Sequence, residues 1–80
     1  MYLVYILQSQ KNGRYYVGST SDLLQRVRYH NEGRVLSTKA FTPWKVIHSE
    51  KFVTRSEASI REFQIKSWKK RTAIEKLIEK

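Results

Sequence analysis

Cysteine is absent from the 80-residue chain, proline occurs once and glycine three times. Without cysteine there is no disulfide framework and no thiolate–metal staple, which excludes a cysteine zinc finger and a disulfide-framed secreted miniprotein. No apolar run approaches the roughly 20 residues of a membrane-spanning helix. The opening Met1-Tyr2-Leu3-Val4-Tyr5-Ile6-Leu7 has no basic flank and meets Gln8 too early for a signal peptide, so a cytoplasmic setting is expected. Acidic residues are scarce as well, with 7 Asp and Glu against 16 Lys and Arg, a net charge of +9. In so small a domain that excess points to a polyanionic partner, nucleic acid ahead of an anionic membrane surface. There is no repeat, low-complexity segment or linker, so residues 1–80 are read as one domain. Area scaling buries about 63% of the unfolded surface at this length, enough for one thin core.

The apolar run from Tyr2 to Leu7 is aromatic and β-branched and reads as a strand covered on both faces. Asn12-Gly13 signals a hairpin, and Tyr15-Tyr16-Val17 a second strand ending near Gly18. A two-residue turn would pair Lys11 with Arg14, Ser9 with Tyr16 and Tyr5 with Thr20, placing Tyr5, Tyr16, Leu3, Leu7 and Gly18 on one face. Gly18 would then leave a gap open to an approaching group. Ser21-Asp22 starts a helix that runs to about Asn31 and stops at Gly33, with Leu23, Leu24 and Val27 as its buried stripe. Residues 34–43 are irregular. Trp44 to Val53 reads as a third strand, and Thr54-Arg55-Ser56-Glu57 has capping-box spacing for a second helix reaching about Lys69. Thr72 with Glu75 repeats that spacing ahead of a last helix with Ile74, Leu77 and Ile78 on its apolar side. The fold class is therefore α+β: a three-stranded antiparallel sheet, made of the hairpin and a third strand, flanked by helices in the order β-β-α-β-α-α.

Five polar residues point inward in this arrangement: Tyr5 and Tyr16 from the sheet, Arg26 and His30 from the first helix, and Glu62 from the second. Arg26 and His30 are four apart and flank Leu23 on the helical wheel, while Glu62 lines up with Ala58 and Ile65. Each has an ordinary reading: packed tyrosines, a solvated arginine, a histidine at a helix end, a glutamate paired with Lys66. A carboxylate among apolar neighbours must be paired, hydrogen-bonded or metal-bound. All five together call for more than packing.

The chain resembles a GIY-YIG endonuclease domain, and the likeness covers nearly its whole length. Leu3-Val4-Tyr5 stands at the first motif and Tyr16-Val17-Gly18 at the second. Arg26 follows ten residues after Tyr16, His30 completes an Arg-x-x-x-His spacing, and Glu62 matches the metal-binding glutamate. The chain is most similar to the small stand-alone bacterial members, which resemble the incision domain of the excision-repair nuclease. Leu3 replaces the glycine of the first motif, no asparagine follows Glu62, and Thr38-Lys39 stands where some members place a second histidine.

The resemblance implies a divalent-metal-dependent DNA endonuclease, with Tyr5, Tyr16, Arg26, His30 and Glu62 catalytic and Glu62 holding one Mg²⁺ or Mn²⁺. Arg26 would brace the scissile phosphate with its planar fork. The general base is left open among Tyr5, Tyr16 and His30. Phosphate contacts are expected from Lys11 and Arg14 at the hairpin, from Arg28 and Arg34 around the first helix, and from Lys39. Lys66, Lys69, Lys70 and Arg71 would add to them past Glu62. With no helix suited to reading bases in the major groove, direction by DNA structure is expected over direction by sequence, as in repair or recombination processing. RNA stays open as a substrate, and so little surface leaves room for a targeting protein. The competing reading is a non-catalytic nucleic-acid-binding module on the same fold; a protein-interaction or membrane-surface module comes third.

Overall fold

The structure, a computed structural model, describes every residue except Lys69 and Lys80. Strands β1 (Tyr2–Ser9) and β2 (Tyr15–Thr20) are followed by helix α1 (Leu23–Asn31), a short 3₁₀ turn at Lys39–Phe41, strand β3 (Trp44–Phe52), and helices α2 (Arg55–Lys66) and α3 (Arg71–Ile78). The strands form one antiparallel sheet in the order β2-β1-β3. The expected α+β class and element order hold. No described helix is long and apolar enough to cross a membrane.

β1 is the central strand and buries both its faces, as its unbroken apolar run requires. Val4 and Ile6 pack with Val17, Ala58, Ile65 and Ile74 beneath α2 and α3. Tyr5 and Leu7 pack on the other face with Trp44, and Tyr16, Leu23 and Val27 close around them. Thr54 caps α2 with the full capping box, Asp22 caps α1 by accepting from Gln25 N–H, and Gly33 ends that helix region at φ 77°.

Several expectations are corrected. The hairpin register pairs Tyr5 with Gly18 and Leu7 with Tyr16, two residues away from the register of a tight Asn12-Gly13 turn. The cause is Ser9, whose hydroxyl accepts from Lys11 and Asn12 N–H at 3.1 and 3.2 Å and stabilises a longer loop closed by a Ser9–Arg14 backbone bond. A shift of two preserves side-chain alternation, so Tyr5 and Tyr16 still share a face. Leu24 is 87% exposed and lies outside the buried stripe, which runs through Leu23, Val27 and His30 at i, i+4 and i+7. α2 stops at Lys66. Lys70, not Thr72, is the N-cap of α3, and Glu75 pairs with Arg71 at 3.1 Å instead of closing a capping box.

A bulge in β3 was not foreseeable from alternation alone. Ile6 pairs with His48 but Leu7 with Val46, so Ile47 is an extra residue. It turns Trp44 toward the Tyr5 face and Phe52 toward α2, although both are even-numbered. Gly18, expected to leave a gap, is instead filled by the protein itself: a Cβ there would sit 2.5 Å from the Tyr5 hydroxyl. Because that ring is buried in the core, Gly18→Ala is expected to lower stability by about 1–3 kcal/mol through overpacking. Thermal unfolding checks this, and an unchanged Tm would mean that the Tyr5 ring has somewhere else to go.

Candidate active site

Tyr5 is 1% exposed and His30 0%. The Tyr5 hydroxyl and His30 Nε2 are 3.1 Å apart, and His30 Nδ1 is 2.8 Å from Thr38 Oγ1. Thr38 donates its own proton to Val35 C=O at 3.3 Å. Its oxygen is then free to accept from Nδ1–H, which leaves Nε2 to accept from the Tyr5 hydroxyl. Thr38 is itself held by Trp44, whose indole N–H donates to Thr38 C=O at 2.9 Å. Asn31 in turn clamps Trp44 through two backbone hydrogen bonds. Burial, with the Arg26 charge added, lowers the His30 pKa to about 4. It is a neutral acceptor, not the helix-end cation of the ordinary reading.

Tyr16 packs beside this pair, its ring 4.8 Å from His30 and 6.3 Å from Tyr5. It is less buried than Tyr5 and presents the outer hydroxyl. Arg26, half-buried on α1, reaches both phenols: hydrogen bonding to Tyr5 is the main cause of its raised pKa, with both phenols adding to it. Burial raises the Tyr5 pKa and the Arg26 hydrogen bond offsets only part of that. Tyr5 is therefore the wrong group to lose a proton, which counts against it as general base.

Glu62 reaches the site from the other side of the sheet. Ser19, paired with Val4, lies on the α2 face and donates to Glu62 Oε1 at 2.6 Å. Lys66 Nζ sits 2.6 Å from Oε2 and 5.9 Å from the centre of the Tyr16 ring. The tyrosine face and the Glu62 face thus meet along the outer strand β2. Burial raises the Glu62 pKa, but hydrogen bonds from Lys66 and Ser19 and the Lys66 charge outweigh it, so the carboxylate is held below its usual range. Among the described residues no three His, Cys, Asp or Glu side chains gather into a metal cage. An ionised carboxylate beside a hydroxyl nonetheless fits Mg²⁺, which takes one or two carboxylates and keeps its waters for substrate oxygens. Lys66 occupies the second oxygen and would have to yield it.

The expected phosphate contacts that lie among the described residues are all exposed, and most have partners. Lys11 Nζ donates to Ala40 C=O at 3.3 Å, and Arg14 stacks on Phe41. Arg28 and Arg34 both pair with Glu32, and Arg34 also stacks on Tyr29. Arg71 pairs with Glu75 and stacks on Tyr15. Lys39 and Lys70 are exposed, and Lys66 is committed to Glu62. Lys69 lies outside the described residues. Exposed pairs of this kind are worth about 0–1 kcal/mol, so a phosphate exchanges with them at little cost.

Sequence reasoning missed Ser19, Thr38 and Trp44. Ser19 could have been found by alternation, since it follows Gly18 and must face away from Tyr16. Thr38 stands at the position noted for a second histidine; only the fold shows it turned inward. Above pH 7 neither folded nor unfolded His30 is protonated. As pH falls through 6.5 the unfolded chain binds a proton that the folded one refuses until about 4, which removes up to about 3 kcal/mol. Tm is expected to be flat above pH 7 and to fall across that window, and His30→Gln to flatten the fall; an identical slope in the variant would place its origin elsewhere.

Comparison with known proteins adds sequence and fold relatives. UPF0213 protein lmo0166 of Listeria monocytogenes is 49% identical over 63 residues, 78% of this chain and 69% of that one. UPF0213 protein VNG_2274C of Halobacterium salinarum is 40% identical over 67 residues, 82% and 86% of the two chains. The solution NMR structure of UPF0213 protein BH0048 from Bacillus halodurans superposes with a TM-score of 0.62 at 29% identity, covering 98% of this chain and 83% of that one. The family model of the GIY-YIG catalytic domain matches residues 1–76. That span takes in both tyrosines, the α1 pair and Glu62, and the chain belongs to the GIY-YIG family, among its UPF0213 proteins.

Proposed function

We propose that the domain is a divalent-metal-dependent endonuclease that hydrolyses phosphodiester bonds in DNA and is directed by the structure of its substrate. The observation that carries this reading is the cluster of Tyr5, Tyr16 and His30, with Tyr5 bonded to His30, Arg26 beside both phenols, and Glu62 held by Ser19 across β2. Arg26 braces the scissile phosphate with its forked donors. Tyr16, acting as its phenolate, orients the attacking water and takes its proton to become the phenol. Tyr5 stays protonated; it donates to His30 Nε2 and lies beside the Arg26 guanidinium, whose position it helps to fix. His30 and Thr38 act through Tyr5 and are positioning residues. A divalent cation held by the Glu62 carboxylate would supply Lewis-acid stabilisation of the leaving oxygen.

The basic surface suits contact with the phosphate backbone, which positions a protein without reading bases. A cytoplasmic role in DNA repair or recombination, with targeting by another protein, is consistent with so little surface. One observation favours the alternative of a non-catalytic binding module: Ser19 and Lys66 take up both Glu62 oxygens.

The test is cleavage of labelled single-stranded, duplex, nicked, flapped and branched DNAs, and of matching RNAs, each with Mg²⁺, Mn²⁺ or EDTA. Metal-dependent cutting that Glu62→Gln abolishes, with forked substrates preferred to plain duplex, is expected. Binding without cutting in every metal would establish the binding module instead. Tyr16→Phe is expected to slow cleavage by about 10²-fold or more with Tm nearly unchanged. Arg26→Ala should lower turnover by about 10²–10³-fold and keep most of the DNA affinity, and undiminished cleavage in either variant would remove that residue from the chemistry.

A further inference from the structure

Next to Glu62, at the seam between β2 and α2, lies a cavity of about 160 Å³. Its wall is a run of hydroxyls, Ser19, Thr20 and Ser21 from the end of β2 and Ser59 from α2, with Arg55 at its rim. Among the described residues no acidic side chain lines it. Arg55 pairs with no carboxylate among the described residues; its guanidinium lies instead 5.6 Å from the centre of the Tyr2 ring, which also lines the cavity. Stacking fixes the plane of a guanidinium and leaves its edge donors unspent. Asp22, next in the chain after Ser21, has a carboxylate oxygen accepting from Gln25 N–H. The volume is well below the roughly 300–1,000 Å³ of pockets that enclose drug-sized ligands. Ser19 spends its proton on Glu62 and Thr20 on Asp22 C=O, which leaves the Ser21 and Ser59 hydroxyls as donors. Two hydroxyl donors and one unpaired cation around so small a space match a tetrahedral oxyanion and not a nucleoside.

We propose that this cavity binds a phosphate group of the nucleic-acid strand on which the active site works, with Arg55 as its cation and the Ser21 and Ser59 hydroxyls as donors. This rests on the nuclease reading above. Ser19 is the link between the two places, because it lines the cavity and also donates to Glu62 Oε1. Lys66 at 2.6 Å offsets the charge of Glu62, so an anion one residue away is not repelled. A strand with its scissile phosphate at Arg26 and Tyr16 would cross the outer strand β2 and set a second phosphate beside Arg55. The second phosphate is either an internal diester or a terminal monoester; the chemistry of the pocket is the same for both.

The experiment is an amide NMR titration of the labelled full chain in EDTA, so that no turnover occurs. The probes are inorganic phosphate and a short single-stranded oligonucleotide, with and without a 5′-phosphate. Shifts at Ser19, Thr20, Ser21 and Ser59 are expected with all three. Arg55→Ala, at an exposed helix start, should weaken oligonucleotide binding by about tenfold. Ser59→Leu, which fills the cavity without changing charge, should do the same, whereas Lys45→Ala on the far strand β3 should have a smaller effect. Tighter binding of the 5′-phosphorylated strand assigns the pocket to an end, equal binding to an internal diester, and both sustain it. Shifts confined to Tyr16, Arg26 and Glu62, or equal losses for Arg55→Ala and Lys45→Ala, would overturn the pocket and leave the nuclease reading standing. No oligonucleotide binding at all would overturn the nucleic-acid reading and the pocket with it.

Discussion

The Tyr5 hydroxyl lies against the bare α-carbon of Gly18 and within hydrogen-bonding distance of His30 Nε2, and this contact constrains the whole tyrosine face. A ring so placed can reach the histidine only because the residue opposite it in the hairpin has no side chain. The histidine can receive it only because its other nitrogen is already spoken for by Thr38. Thr38 in turn depends on Trp44 and Trp44 on Asn31. A buried polar network of this kind is favourable only when every member is satisfied. Here no buried side-chain nitrogen or oxygen among the described residues is left without a partner.

That network divides the labour between the two tyrosines. The inner phenol is desolvated and shared between an arginine and an imidazole, so it is a fixed hydrogen-bonding post. The outer phenol is only half-buried; it packs edge-on to the imidazole and shares the same arginine. The carboxylate comes from the opposite side of the sheet, with a hydroxyl and an ammonium group on its two oxygens. Such a site combines a rigid half, buried in the core, with an adjustable half built on an exposed lysine. Adjustment is what a group that must admit a cation or a phosphate requires.

Much of this was legible in the residues. The strand run at Tyr2–Leu7, the capping box at Thr54 and the glycine at 33 each follow from a local physical preference, and each stands in the fold. The shared face of Tyr5 and Tyr16 survived a wrong register because an even shift leaves alternation untouched. Leu24 misled because apolar identity does not say which side of a helix meets the sheet. Thr38 was invisible for a different reason: a lone threonine in an irregular segment carries no periodic signal, and its role comes from a histidine eight residues away. The bulge at Ile47 lies equally beyond a pattern argument, since the sequence around it alternates in neither phase.

That bulge gives β3 two tenants. Before Ile47 its even-numbered side chains serve the tyrosine face, where Trp44 bolts down Thr38; after it the even-numbered ones serve the α2 face, where Glu50 takes Arg61 at 2.8 Å. Strand length is thereby quantised for this domain. Removing one residue near position 47 would restore a regular ladder and, by doing so, rotate Trp44 out of the histidine's support without altering any residue that touches the histidine. Sequence drift in β3 is consequently cheap as substitution and expensive as a single-residue gap, and two copies of this fold that differ by one residue there would have to differ in how they hold the imidazole.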